Sequence, residues 1–206
     1  MMYTRFLASH QLDSAADILL SGGLVVFPTD TVYGVAALAQ DSEAVTRIFR
    51  AKQRPPALPI PVMVDSPARI AAIAHPSPAF YRLADVFWPG PLTMVLPRSD
   101  ALPPIVTAGG DTVAVRIPDH SLTLALLRLI GLPLAVTSAN LSGHPPARTA
   151  DEARQQLAGR VNAIILGGVA PGGQPSTIVD LTQHPPVILR SGPVSESHIR
   201  EALAQA

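Results

Sequence analysis

The sequence predicts an α/β fold, one domain with a twisted mixed sheet flanked by helices, and three observations carry that prediction. Short β-branched runs alternate with segments of helical apolar spacing along the whole chain. Prolines and glycines gather at the joints between these segments. No linker, internal repeat or low-complexity tract interrupts the alternation, so a single domain over residues 1–206 is expected, with its motif-bearing core at about 22–192.

Leu12, Ala15, Ile18 and Leu19 share one face of a predicted helix that Gly22-Gly23 stops. Residues 24–27 are the first predicted strand, and a polar run follows it directly. Asp41 is placed to cap a helix whose face is Ala44, Val45, Ile48 and Phe49; Pro55-Pro56 forbids its continuation, so Lys52 and Arg54 fall at its end. Residues 60–64 read as a strand. Ser66-Pro67 and Ser77-Pro78 each set a capping residue before a proline at a first helical position, predicting two short helices. Strands follow at 92–96, 113–117 and 134–137, with a leucine-rich helix over 122–130 ended by Gly131. Thr149-Ala150-Asp151-Glu152 has capping-box spacing for a further helix. Strands at 163–166, 177–181 and 187–190 and a last helix capped by Ser195 complete the series.

Composition removes several function classes. Apolar residues make up 48% of the chain and charged residues 15%, a balance for a compact globule rather than a disordered segment. No apolar run approaches the roughly 18 residues of a membrane span, and a cytosolic protein is expected. There is no cysteine, which excludes disulfides, thiolate metal sites and cysteine nucleophiles. The six histidines never fall at the helical spacing of zinc hydrolases, so no metal held by protein side chains is expected. Fifteen cations balance fifteen acids, which gives no overall field for nucleic acid. Lys52 is the only lysine, a compact point charge among arginines and suited to a crowded phosphate or carboxylate.

Neither a G-x-x-x-x-G-K-[ST] loop nor a G-x-G-x-x-G turn occurs, so any nucleotide must be held another way. Polar clusters stand instead at the ends of apolar strands, where open α/β sheets bind ligands. PTDTVYG at 28–34 sets two threonines and an acid after a strand, as a turn or a site. KQRP at 52–55 fixes two cations against proline, as a solvated helix end or a phosphate contact. WPGPLT at 88–93 holds the only tryptophan and reads first as a packing corner. VAVRIP at 113–118 puts Arg116 in an apolar strand, where it needs an anion: Asp111, Asp119 or a substrate carboxylate. TSANLSG at 137–143 offers neutral donors to an anion, and PSTIVD at 175–180 leads to LRSG at 189–192 with another strand-end arginine.

In this joint order the seven segments resemble the YrdC-type family of threonylcarbamoyl-AMP synthases, over about 22–192, in its minimal form without an extra C-terminal domain. The resemblance implies that L-threonine, bicarbonate and ATP, with Mg²⁺ accompanying the ATP, give threonylcarbamoyl-adenylate and pyrophosphate. The product serves tRNA threonylcarbamoyladenosine modification, with tRNA or tRNA-modification proteins as partners. Position by position it implies threonine contacts at Thr31, Arg116 and Ser176, with Arg116 on the carboxylate. It implies ATP contacts at Lys52, Arg54, Thr112, Ser138, Asn140 and Arg190, with Lys52 and Arg54 as the catalytic cations. No covalent nucleophile is needed, since positioning among preorganised charges suffices.

Two positions depart from the family pattern: Leu58 and Met63 stand where relatives often carry Asn and His. Met63 presents an apolar wall, which opens the choice between threonine and serine. These two positions keep one rival reading open, a paralogue acting on another carbamoyl or amino-acid substrate; a second, an RNA-binding module without catalysis, is kept because such a fold could present a basic concave face to RNA.

Overall fold

The structure is a computed structural model that describes residues 2–204. All ten of its strands join one sheet, in the order β1-β8-β2-β3-β7-β4-β6-β5-β9-β10. They are β1 (Arg5–Ala8), β2 (Val25–Phe27), β3 (Gly34–Leu38), β4 (Val62–Met63), β5 (Leu92–Pro97), β6 (Thr112–Arg116), β7 (Leu134–Ser138), β8 (Ala163–Leu166), β9 (Thr177–Asp180) and β10 (Val187–Arg190). Parallel pairs, such as β4 with β6 and β5 with β9, stand beside antiparallel ones, such as β3 with β7 and β5 with β6, so the sheet is mixed as predicted.

Among the described residues, six α-helices and one 3-10 turn (Pro67–Ala72) cover the two faces: α1 (Leu12–Leu20), α2 (Ser42–Lys52), α3 (Pro78–Phe87), α4 (Ser121–Ile130), α5 (Ala150–Leu157) and α6 (Glu196–Ala204). The two-residue period of the strands sorts the core between those faces. Val25, Phe27, Ala36, Leu134 and Val136 pack with Leu19 of α1 and Leu126 of α4. Their alternates Val26, Val35, Ala37 and Ala135 pack with Ile48 of α2, Phe80 of α3, Leu157 of α5 and Ile199 of α6.

Caps form where local sequence asks for them. Asp41 accepts from the amides of Glu43 and Ala44, Ser77 from Phe80 and Thr149 from Glu152. Ser195 accepts from the amide of His198. Glu152 returns its carboxylate to the amide of Arg148, one residue before the position a capping box uses.

Four expectations need correction. The strand expected over 60–64 is only β4, because Pro59 and Pro61 bring no amide hydrogen to a ladder. The segment after Ser66 is a 3-10 turn, and Ser66 makes no side-chain cap bond. Two strands were not foreseen. β1 is a sheet edge whose partner, β8, lies far along the chain, and β3 (GVAAL) lacks the β-branched run that marks its neighbours.

Candidate active site

The sheet register lines up a row of side chains across five strands. Met63 of β4 pairs with Arg116 of β6, Thr93 of β5 with Ile178 of β9, and Ile178 with Arg190 of β10. Paired residues share a sheet face, so the row forms one floor. Above it lies a hollow of about 230 Å³, closed by Thr29, Thr31, Arg54, Ser138, Pro175 and Ser176 among others. Two glycines allow the close approaches that shape it. A Cβ on Gly34 would meet Val136 Cγ1 at 2.7 Å, and one on Gly172 would meet the Asp30 carbonyl at 2.5 Å.

Arg116 is anchored on three sides. Its Nε donates to the Gly90 carbonyl at 3.0 Å, its Nη1 to Thr31 Oγ1 at 3.0 Å and its Nη2 to Asp30 Oδ1 at 2.6 Å. The anion it required is therefore Asp30 of the PTDTVYG segment, and neither Asp111 nor Asp119. Two of its five N–H groups stay uncommitted and can still face a ligand. Burial lowers the affinity of Arg116 for its proton, and Asp30 opposes that shift. Asp30 Oδ2 is buried without a hydrogen-bond partner among the described residues.

Arg190 donates from Nε to the Ser176 carbonyl at 2.9 Å and from Nη2 to Ser176 Oγ at 3.1 Å. Its pKa is lowered by burial and then by the positive charge of Arg116. Arg54 donates to the carbonyls of Leu58 and Pro59, and burial lowers its pKa too. Three guanidiniums held this way, all still charged at neutral pH, make a region that favours an anion with several negative oxygens.

Lys52 behaves differently from its KQRP neighbour. Gln53 takes a left-handed backbone (φ 53°) at the end of α2, and the reversal sends Arg54 to the hollow while Lys52 turns inward. Lys52 is 1% exposed, and its Nζ donates to the carbonyls of Ser138 and Asn140. It thus ties the TSANLSG loop from behind. Burial, and then the charge of Arg54, lower its pKa to about 7.

Of the residues singled out from sequence, Thr31, Arg54, Arg116, Ser138, Ser176 and Arg190 meet at the hollow. Lys52 and Asn140 support its wall. Asn140 donates from Nδ2 to the carbonyls of Leu141 and His144, and its Oδ1 is buried without a partner among the described residues. Thr112 does not join them. It is exposed at the start of β6, about 13 Å along the strand from Arg116. The tryptophan is a packing corner, with Nε1 on the Leu92 carbonyl and its ring edge-on to Phe80.

Sequence reasoning gave no individual role to Thr29, Asp30, Tyr33 and Thr93. Each lies inside a quoted segment, and only the fold shows what it touches. Tyr33, for example, is fully buried and joins three loops: its amide meets Ala147, its carbonyl Ala139 and its hydroxyl Gly168.

Comparison with known proteins places this arrangement. The family model Sua5_yciO_yrdC, described as "Telomere recombination", matches residues 17–192. The threonylcarbamoyl-AMP synthase of Pyrococcus abyssi (strain GE5 / Orsay) is 43% identical over 192 residues, 93% of this chain and 56% of that protein. The chain thus spans little more than half the length of that curated relative. The crystal structure of P. abyssi Sua5 complexed with L-threonine superposes with a TM-score of 0.93 at 39% identity, over 98% of this chain and 61% of that one. E. coli YciO superposes with a TM-score of 0.86 at 26% identity, over 97% of this chain and all of that one. Because the match takes in every strand end that lines the hollow, sequence and fold agree that the chain belongs to the Sua5/YciO/YrdC family.

Proposed function

We propose that the chain is a threonylcarbamoyl-AMP synthase, which joins L-threonine, bicarbonate and ATP into threonylcarbamoyl-adenylate and releases pyrophosphate. The observation that carries this reading is the convergence of Arg54, Arg116 and Arg190 with Thr31, Ser138 and Ser176 on one hollow. The naming of the P. abyssi relative and the L-threonine in the P. abyssi Sua5 crystal support it.

In this reading Thr31, Arg116 and Ser176 hold threonine, whose neutral amine adds to the carbon of bicarbonate with loss of water. A carbamate oxygen then attacks the α-phosphorus in line, and pyrophosphate leaves. Arg54 and Arg190 offset the charge that gathers on the phosphates, Ser138 adds a hydroxyl, and Lys52 holds the Ser138–Asn140 backbone in place. The placement of Thr112 lends it no part in these steps. Mg²⁺ arrives with the triphosphate, whose oxygens suit it better than a lining of cations and hydroxyls, where the neighbouring carboxylate, Asp30, is engaged by Arg116. The product serves tRNA threonylcarbamoyladenosine modification in the cytosol, with tRNA or its modifying proteins as the receiving partners. No helix among the described residues is long and apolar enough to cross a membrane.

Pyrophosphate release is the direct test. It should require ATP, Mg²⁺, bicarbonate and threonine together, and fall at least a hundredfold in Arg116→Ala that remains folded. Release that continues without an amino acid overturns the proposal. Met63 in the floor favours a second reading, turnover of a different amino acid, and faster release with that acid than with threonine would establish it.

A further inference from the structure

The Gly22-Gly23 pair that follows α1 also shapes a second cavity, of about 290 Å³ and open to solvent, at the other end of the sheet. It borders the starts of β1, β8 and β2, where Arg5 and Val25 both pair with Ala163, whereas the hollow follows the far end of β2. No residue lines both. At a share of about 30 Å³ for each water it has room for about ten, which is more than a phosphate group alone would fill.

Three donors gather there because backbone contacts fix them. A Cβ on Gly23 would meet Ile18 Cγ2 at 2.6 Å and Asn162 Cγ at 3.2 Å, so glycine lets Asn162 close on the end of α1. Asn162 Oδ1 lies 2.8 Å from the Leu24 amide, which can only donate. The oxygen is thereby fixed on Leu24, and Nδ2 keeps two hydrogens with no partner among the described residues. Arg47 Nη1 donates to the Gly22 carbonyl at 3.0 Å, and its other N–H groups have no partner among the described residues. The Arg5 amide donates to the Asn162 carbonyl at 2.9 Å, and the Arg5 guanidinium forms no ion pair among the described residues.

Ser14, Asp17 and Ser21, spaced by three and four residues along α1 and its cap, form one wall of the cavity. Asp17 makes no ion pair with either arginine among the described residues. Its carboxylate can only accept, and it stands in the last turn of α1, by the negative end of the helix dipole, so this wall favours hydroxyl hydrogens over a phosphate. Two cations against one carboxylate leave one positive charge in excess. We propose that this cavity binds the phosphate monoester of a small polyol, with the phosphate on Arg5, Arg47 and Asn162 Nδ2 and the hydroxyls on Asp17 and its flanking serines. Forked guanidiniums suit phosphate oxygens, and the carboxylate selects a ligand that brings hydroxyls with its phosphate. Sugar phosphates and nucleotides share that chemistry. The site is independent of the activity proposed for the hollow.

Titrations with inorganic phosphate, ribose 5-phosphate and AMP test this, followed by the NMR signals of the Asn162 side-chain amide and of the Gly22 and Gly23 backbone amides. Ribose 5-phosphate should move these signals with at least about fivefold higher affinity than inorganic phosphate, as the added hydroxyl bonds imply. Tighter AMP binding at the same signals assigns the ligand to the nucleotides, and weaker or no AMP binding there assigns it to the sugar phosphates. Asn162→Asp keeps an acceptor for the Leu24 amide and puts an oxygen in place of Nδ2, so ribose 5-phosphate affinity should fall at least about tenfold. Arg5→Ala should lose about as much. Asp17→Ala should bind inorganic phosphate no more weakly than the unaltered chain and cut the advantage of ribose 5-phosphate to less than about twofold.

Equal affinity of inorganic phosphate and ribose 5-phosphate at these signals in the unaltered chain would overturn the proposal. So would ribose 5-phosphate that moves only signals of the hollow, such as those of Thr31 and Ser176, or undiminished binding by a folded Asn162→Asp. Should Asn162→Asp fail to fold, Arg5→Ala and Asp17→Ala decide the matter, since both residues are exposed and neither side chain is bonded among the described residues. Pyrophosphate release in the hollow should be the same in Arg5→Ala as in the unaltered chain, so failure of either proposal leaves the other standing.

Discussion

Arg116 and Asp30 form an ion pair with 2.6 Å between Nη2 and Oδ1, and their side chains are only 4% and 11% exposed. The pair ties the loop after β2 to the end of β6. Removing one partner of such a pair leaves the other charge without compensation, at a typical cost of about 3–5 kcal/mol. Asp30→Ala should therefore lower unfolding stability by about that much in urea titrations. Asp30→Asn keeps an acceptor for Arg116 and should lose less. Sulfate should stabilise Asp30→Ala more than the unaltered chain, because an anion in the hollow can take the place of the missing carboxylate.

Lys52 gives the fold a pH dependence of known sign. Its pKa in the folded chain, about 7, lies below the ordinary 10.5 because burial and Arg54 disfavour the charge. Between those two values the unfolded chain holds a proton that the folded chain has released. The Lys52 contribution to stability therefore grows as pH rises from about 7 toward 10.5, with a slope of up to about 1.4 kcal/mol per pH unit. A neutral amine still has two hydrogens for the carbonyls of Ser138 and Asn140, so its anchoring survives deprotonation. Lys52→Met should remove this slope from a series of urea titrations at pH 7, 8 and 9. An identical slope in the variant would assign it to other groups.

Local signals were the legible part of this fold. Asp41, Ser77, Thr149 and Ser195 cap the helices that follow them, since a cap needs only residues a turn away. Non-local pairing was hidden. The partner of Arg116 comes from a loop 86 residues earlier, while the acids near it in sequence, Asp111 and Asp119, drew attention instead. The small residues of β3 become a strand because β2 and β7 flank them, and nothing within GVAAL says so. At the site, the clustered polar types were readable, but the inward turn of Lys52 depends on one backbone angle at Gln53.

That angle leads to a stability prediction. Gln53 has φ 53° and ψ 41°, a left-handed conformation in which a residue with a Cβ is disfavoured by about 1–2 kcal/mol. The bond from the Arg54 amide to the Phe49 carbonyl closes the helix end around it. Gln53→Gly should remove the steric penalty while making the unfolded chain more flexible, leaving a net gain of about 0.5–1 kcal/mol. Gln53→Val should lose more than 1 kcal/mol, since a branched Cβ fits this region worst. Thermal melts of the two variants should therefore move in opposite directions.

Met63 carries the last prediction, which concerns what the proposed enzyme accepts. Its side chain is in the floor of the hollow with Val136 and Ile178, and it pairs in register with Arg116, so this part of the wall is apolar beside the proposed amino-acid site. An apolar wall recognises a methyl group by contact, but it cannot strongly reject an isostere that differs only by a hydroxyl; such discrimination reaches about a hundredfold. Valine, which has a methyl where threonine has its hydroxyl, should therefore turn over with a kcat/KM within about a hundredfold of threonine. Serine lacks the methyl and should fall short of threonine by about tenfold or more. Met63→His would supply a polar partner for the threonine hydroxyl at the same strand position, and the ratio of threonine to valine turnover should widen. If the unaltered chain rejects valine by ten-thousandfold, a buried polar group must already be reading the hydroxyl, and the apolar wall is not what selects the substrate.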